Sequence, residues 1–107
     1  MESLRKSRDF RKVIESGDRT VLETITIFIL PNQEGRTRVG ISVSRKSGGS
    51  VKRNKIKRRI REATRRNAER MPRSADMVIM ARRGASEATY EDIEKDIRKY
   101  FDHVERR

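Results

Sequence analysis

The sequence predicts an α+β two-layer sandwich, helix-strand-strand-helix-strand-helix around a small mixed sheet, and three observations predict it. Two runs alternate apolar and polar residues with a period of two, Leu22 to Leu30 and Thr37 to Ser44. A third run, Asp76 to Arg82 (DMVIMAR), reads as a further main strand. Around these runs apolar residues recur at helical spacing in three further segments. Each such element has an apolar face that only a second layer can bury.

Taken in order, the first helix is predicted from Arg8 to Ser16, with Ser7 as N-cap and Gly17 in a left-handed C-terminal position. Phe10, Val13 and Ile14 share its apolar face. In the first strand Ile25, Ile27 and Ile29 form one face, and Thr24, Thr26 and Phe28 the other. PNQEGR (31–36) is a turn. In the second strand Val39, Ile41 and Val43 alternate with Arg38, Gly40 and Ser42. Antiparallel pairing of these two strands would combine their aliphatic faces into a core. RKSGGS (45–50) is a flexible basic loop whose last residue, Ser50, can cap the next helix.

That helix, Val51 to Arg66, is the most informative segment. It holds nine lysines and arginines and one acid, Glu62. Ile56, Ile60 and Ala63 fall on one stripe, while Asn54, Arg58, Arg61 and Arg65 line up on the opposite face. A disordered basic tail has no reason to keep an apolar stripe, so the pattern predicts a helix docked on a core and presenting cations outward. Pro72 and its surroundings end the segment, and the third strand follows. Thr89 starts a last helix as N-cap with Asp92 behind it, a variant of the capping box. Ile93, Ile97, Phe101 and Val104 form its apolar stripe.

With 107 residues the chain reads as one domain, 1–107. Its net charge is +12, with 28 basic and 16 acidic residues. Residues 45–70 carry twelve of the basic residues and two of the acids, so one element holds most of the excess. That asymmetry points to a polyanionic partner. The absence of cysteine excludes disulfides and thiolate metal sites and fits a reducing cytoplasm. No apolar run is long enough to span a membrane and the N-terminus lacks a signal-like apolar core, so a soluble intracellular protein is expected.

Catalytic residues are scarce. His103 is the only histidine, with no cysteine or second histidine to pair with it, and the acids of the last helix interleave with bases as solvated faces do. The basic helix is different. Six of its nine cations are arginines, whose planar fork suits bidentate phosphate contact. A second candidate is the sheet face of Thr24, Thr26, Phe28, Gly40 and Ser42. It could hold an extended single strand with a base stacked on Phe28, or Phe28 could be packed beneath a helix. Phe10 has the same ambiguity, and core packing suits it better by pattern.

The block RVGISVSRKSGGSVKRNKIKRRIREA, Arg38 to Ala63, closely resembles the signature region of the bacterial ribonuclease P protein subunit. Arg53, Asn54 and Lys55 occupy the family's Arg-Asn-Arg motif, with lysine in the third place. RKSRDFRKVIESG, ADMVIMARRGAS and ATYEDIEKDIRKYF fit in order, so the resemblance covers essentially the whole chain. It implies a ribosomal protein S5 domain 2-like fold with a left-handed βαβ crossover through the basic helix, against the usual hand. It also implies that the catalyst is an RNA subunit using Mg2+ to cut the 5′ leader from precursor tRNA, with the protein binding both RNAs. No protein partner and no membrane are implied. By position, RNA-subunit contacts fall on Arg45, Lys46, Arg53, Asn54, Lys55, Lys57, Arg58, Arg61 and Arg65. The leader cleft falls on Phe10 and Phe28, with Thr24, Thr26 and Ser42 beside them. Ile14 stands where many relatives have a second aromatic. The competing readings are a general RNA-binding or ribosome-associated protein without leader specificity, and a self-sufficient nuclease.

Overall fold

The computed structural model of the chain describes residues 2–105. Strands β1 (Glu2–Ser3), β2 (Asp18–Val21), β3 (Ile25–Pro31), β4 (Arg38–Ser42) and β5 (Ala75–Ala81) form one sheet in the order β1-β4-β5-β3-β2. Helices α1 (Ser7–Ser16), α2 (Ser50–Arg66) and α3 (Tyr90–Glu105) complete the mixed α+β fold. The three helices and three main strands expected from the sequence are present, with β1 and β2 in addition.

The first two main strands, whose antiparallel pairing would have joined their aliphatic faces directly, do not pair with each other. β5 lies between them, antiparallel to β3 and parallel to β4. The reason is that β5 is apolar on both faces. Met77 and Ile79 pack toward α2 and α3, and Val78 and Met80 toward α1. A strand buried on both sides is most stable at the centre of a sheet. The β4–α2–β5 segment is therefore a parallel βαβ unit.

The aliphatic faces combine as the alternation requires. Ile25, Ile27, Val39, Met77 and Ile79 are buried against Ile56, Ile60 and Ala63 of α2 and Ile93, Ile97 and Phe101 of α3. Val104, at the end of the α3 stripe, is instead exposed. On the other face Phe28 and Val78 meet Val13 of α1 and Leu4. That face is covered by α1 and is not the open polar surface the alternation suggested.

Local signals proved uneven. Thr89 and Asp92 form the reciprocal capping box, with the Thr89 amide donating to Asp92 Oδ2 at 3.0 Å and the Asp92 amide to Thr89 Oγ1 at 3.2 Å. Ser7 and Ser50 sit one residue inside their helices, flanked by Lys6 and Gly49. Gly17 has φ −82°, not the left-handed value expected. Glycine is needed there for space, because a Cβ would lie 2.6 Å from the Val13 carbonyl oxygen and 2.8 Å from that of Ile29. LETITIFIL bends at Leu22–Thr24 and begins its long strand only at Ile25.

Two buried acids tie the elements together. Asp96 of α3, read from sequence as part of a solvated face, is 3% exposed and accepts hydrogen bonds from the Thr24 amide (2.8 Å) and hydroxyl (2.5 Å). Asp76 accepts from Arg38 Nε and Nη2, each at 2.8 Å, and from Asn32 Nδ2 at 2.8 Å. Burial pushes the Asp76 carboxyl up, but the hydrogen bonds of Arg38 and Asn32 and the positive charge of Arg38 outweigh it and hold the group below the usual carboxylate range. A lowered folded value means that the stabilisation is complete above the ordinary carboxylate pKa of about 4 and is lost as pH falls through the folded value. Asp76→Asn is therefore expected to lower stability at neutral pH and to flatten its decline in acid. Urea titrations at stepped pH check this, and parallel curves for the two proteins would contradict it.

Candidate nucleic-acid interface

Helix α2 is anchored by the stripe that the sequence marked. Ile56, Ile60 and Ala63 are at most 1% exposed, and Thr64 is buried beside them, its hydroxyl donating to the Ile60 carbonyl at 2.7 Å. With that stripe inward, Asn54, Arg58, Arg61 and Arg65 all emerge as exposed residues. Lys55 is exposed too, and Arg53 and Lys57 are half-buried at the flanks. Arg53 Nε is buried without a hydrogen-bond partner.

Not every cation of α2 faces outward unengaged. Arg59 donates to the Ala88 carbonyl at 3.0 Å. Arg66 stacks over the Tyr90 ring, 5.4 Å from its centroid, and pairs with Glu62 at 3.8 Å. Arg65 reaches the same carboxylate at 3.6 Å. These contacts leave the N-terminal two thirds of the helix as the stronger anion-binding surface, because cations already neutralised gain less from a phosphate.

Arg45 and Lys46 are exposed in a short 3-10 turn, Arg45–Ser47, immediately before α2. The Ser44 hydroxyl accepts from the Lys46 amide at 3.1 Å, and Gly48 closes the turn at φ +132°, a value that disfavours any side chain. The loop expected to be flexible therefore has a defined shape that sets both cations beside the helix start.

On the other face, α1 and the sheet frame an open cleft of about 480 Å³ lined by Arg5, Ser7, Phe10, Arg11, Ile14, Glu15 and Ser42. The half-buried Phe10 ring lies on the backbone of β4 at Gly40. A Cβ there would sit 2.3 Å from Phe10 Cζ, so glycine lets the ring approach. Phe10 and Ser42 are thus brought together, and Ile14 joins them.

Phe28, Thr24 and Thr26 are not in that cleft. Phe28 is 7% exposed beneath α1, Thr26 is buried, and Thr24 lies in the bend before β3, committed to Asp96. The alternation separated Phe28 from the Ile25 and Ile27 face but could not show that α1 covers it, and it misplaced Thr24, which lies before the strand and is turned to α3 through Asp96. Sequence reading missed Arg5 and Arg11. The spacing of Ser7, Arg11 and Ile14, at i, i+4 and i+7, was the available signal for Arg11. Nothing local marks Arg5.

A family model described as Ribonuclease P matches residues 1–105. The chain belongs to the ribonuclease P protein family. It is 41% identical over 98 residues to the ribonuclease P protein component of Clostridioides difficile, a match covering 91% of this chain and 86% of that one. The corresponding protein of Pelotomaculum thermopropionicum is 35% identical over 105 residues, covering 98% and 94%. Among solved structures, the Staphylococcus aureus RNase P protein superimposes with a TM-score of 0.87 at 28% identity, covering 97% of this chain and 95% of that one. The Thermotoga maritima RNase P protein gives 0.85 at 30%, covering 96% and 97%. As a ribonuclease P protein component, the chain is part of a tRNA-processing ribonucleoprotein nuclease with an RNA partner. No helix among the described residues is long and apolar enough to cross a membrane.

Proposed function

We propose that this chain is the RNA-docking and leader-binding subunit of its ribonuclease P, promoting endonucleolytic removal of the 5′ leader by a catalytic RNA. The observation that carries the reading is the division of α2, whose apolar stripe is buried while Arg58 and Arg61 stand exposed with no acid partner among the described residues. Such a surface binds a phosphate backbone through charge-assisted contacts and releases counterions on doing so. Arg53, Asn54, Lys55, Lys57 and Arg65 extend that surface, and Arg45 and Lys46 continue it at the helix start. The α1 cleft, with Phe10 and Ser42, takes the single-stranded leader, the half-buried Phe10 ring serving as stacking partner for a base. The magnesium ions belong to the RNA subunit. Among the described residues no three histidines or acids converge into a protein-held metal site.

Reconstitution tests the reading. The full chain is expected to restore precursor tRNA cleavage by a bacterial ribonuclease P RNA at low magnesium and to cleave nothing alone. Absence of stimulation across a magnesium series would remove the reading. Equal affinity for precursor and mature tRNA would favour a general RNA-binding protein, and cleavage without RNA a self-sufficient nuclease. In the assembled enzyme Phe10→Ala is expected to cut the preference for precursor over mature tRNA by about 1–3 kcal/mol. Equilibrium binding of the two substrates reads it out, and an unchanged ratio would take Phe10 out of the leader site.

A further inference from the structure

Beyond the cleft, the fold builds a second concavity that the sequence did not mark. A groove of about 270 Å³ runs between α2 and the β1–β4 edge of the sheet. Its cations are Arg5, Lys57 and Arg61, and its walls include Phe10, Val39 and Ile41. No acid lines it. Among the described residues none of these three cations pairs with a carboxylate: Glu2 pairs with Arg36 at 2.8 Å, and Glu62, next to Arg61 in the chain, pairs with Arg65 and Arg66. Arg5 is distant in sequence from the other two. It arrives because β1 pairs in parallel with β4, through Glu2 opposite Arg38 and Ser3 opposite Val39, and because Leu4 is buried under α1 with its amide donating to the Val39 carbonyl at 2.9 Å. A two-residue strand has little stability of its own, so its ordered effect is to hold the next residue, Arg5, at the groove.

We propose that Arg5 completes a phosphate-binding site with Lys57 and Arg61, and that its ligand is a backbone phosphate of the RNA subunit. This rests on the docking role of α2 given above. Three converging cations with no internal counter-charge suit a phosphodiester, and the aliphatic wall of Val39 and Ile41 suits the sugar beside it. The RNA subunit is favoured over the leader because two of the three cations belong to the helix that docks it. Arg5 and Phe10 line both this groove and the α1 cleft. Docking of the catalytic RNA and seating of the leader therefore share one wall, which aligns the two RNAs on the protein.

The test is binding of full-length protein to ribonuclease P RNA alone, without substrate, over a salt series. Arg5→Ala is expected to weaken binding about tenfold, the size of one charge-assisted hydrogen bond, and to reduce the salt slope by about one. Arg5→Lys should restore the slope. Combined with Arg61→Ala, the losses should be less than additive, because one phosphate serves both residues. Arg5 is exposed, so a preserved circular dichroism melt is expected for the variant. Normal RNA binding by Arg5→Ala would overturn the proposal while leaving the docking role of α2 intact. A loss seen only with substrates that carry a leader would also overturn it and assign the phosphate to the leader. Failure of the unsubstituted protein to bind the RNA would remove the docking role itself.

Discussion

Phe28→Ala is expected to destabilise the fold by about 3–5 kcal/mol, the usual cost of deleting a buried phenylalanine. The ring is 7% exposed and packs with Leu4, Val13 and Val78 in the smaller of the two cores. That cluster is what holds α1 to the sheet, so little nearby can collapse into the space. Small domains retain about 5–15 kcal/mol of stability, so the loss is a large share of the total. Urea unfolding should show the change directly. Any effect of Phe28 on leader binding should then be indirect, through the attachment of α1 and hence of Phe10. A variant of normal stability that had lost only its preference for precursor would place Phe28 on the surface and overturn this.

Arg58→Ala with Arg61→Ala should leave the fold intact and weaken binding to the RNA subunit about a hundredfold, roughly tenfold for each charge-assisted contact. Both side chains are exposed on α2, away from its buried stripe. The dependence of affinity on salt should flatten by about one unit per lost contact, because fewer counterions are released. Arg59→Ala is the internal comparison. Arg59 donates to the Ala88 carbonyl, so its loss should appear in thermal stability and leave the salt slope nearly unchanged. Equal slopes for the double variant and the unsubstituted protein would mean that this face of α2 meets no phosphate.

The candidate interface was legible where periodicity and chemistry coincide. In α2 the same residues that bury the helix orient the rest, so naming Ile56, Ile60 and Ala63 as the stripe also places Asn54, Arg58, Arg61 and Arg65 outward. The leader face was harder. Alternation in β3 separates Ile25, Ile27 and Ile29 from Thr26 and Phe28, but it carries no information on what lies above each side. The covering of Phe28 and the opening at Phe10 and Ser42 depend on where α1 crosses the sheet. Gly17 shows the same limit, since its position at a helix end suggested a left-handed turn while the true constraint is its approach to β3.

The sequence by itself determined the element types, the single-sided apolar faces, the cationic helix and the family of the chain, because each rests on residues close together in the chain. Only the tertiary structure decided strand order, the cover over the second sheet face and the partners of Asp76 and Asp96. It alone brings Arg5 beside Lys57 and Arg61. These depend on contacts between residues tens of positions apart. Local propensity cannot encode them, and they are selected only when the whole apolar surface is buried at once.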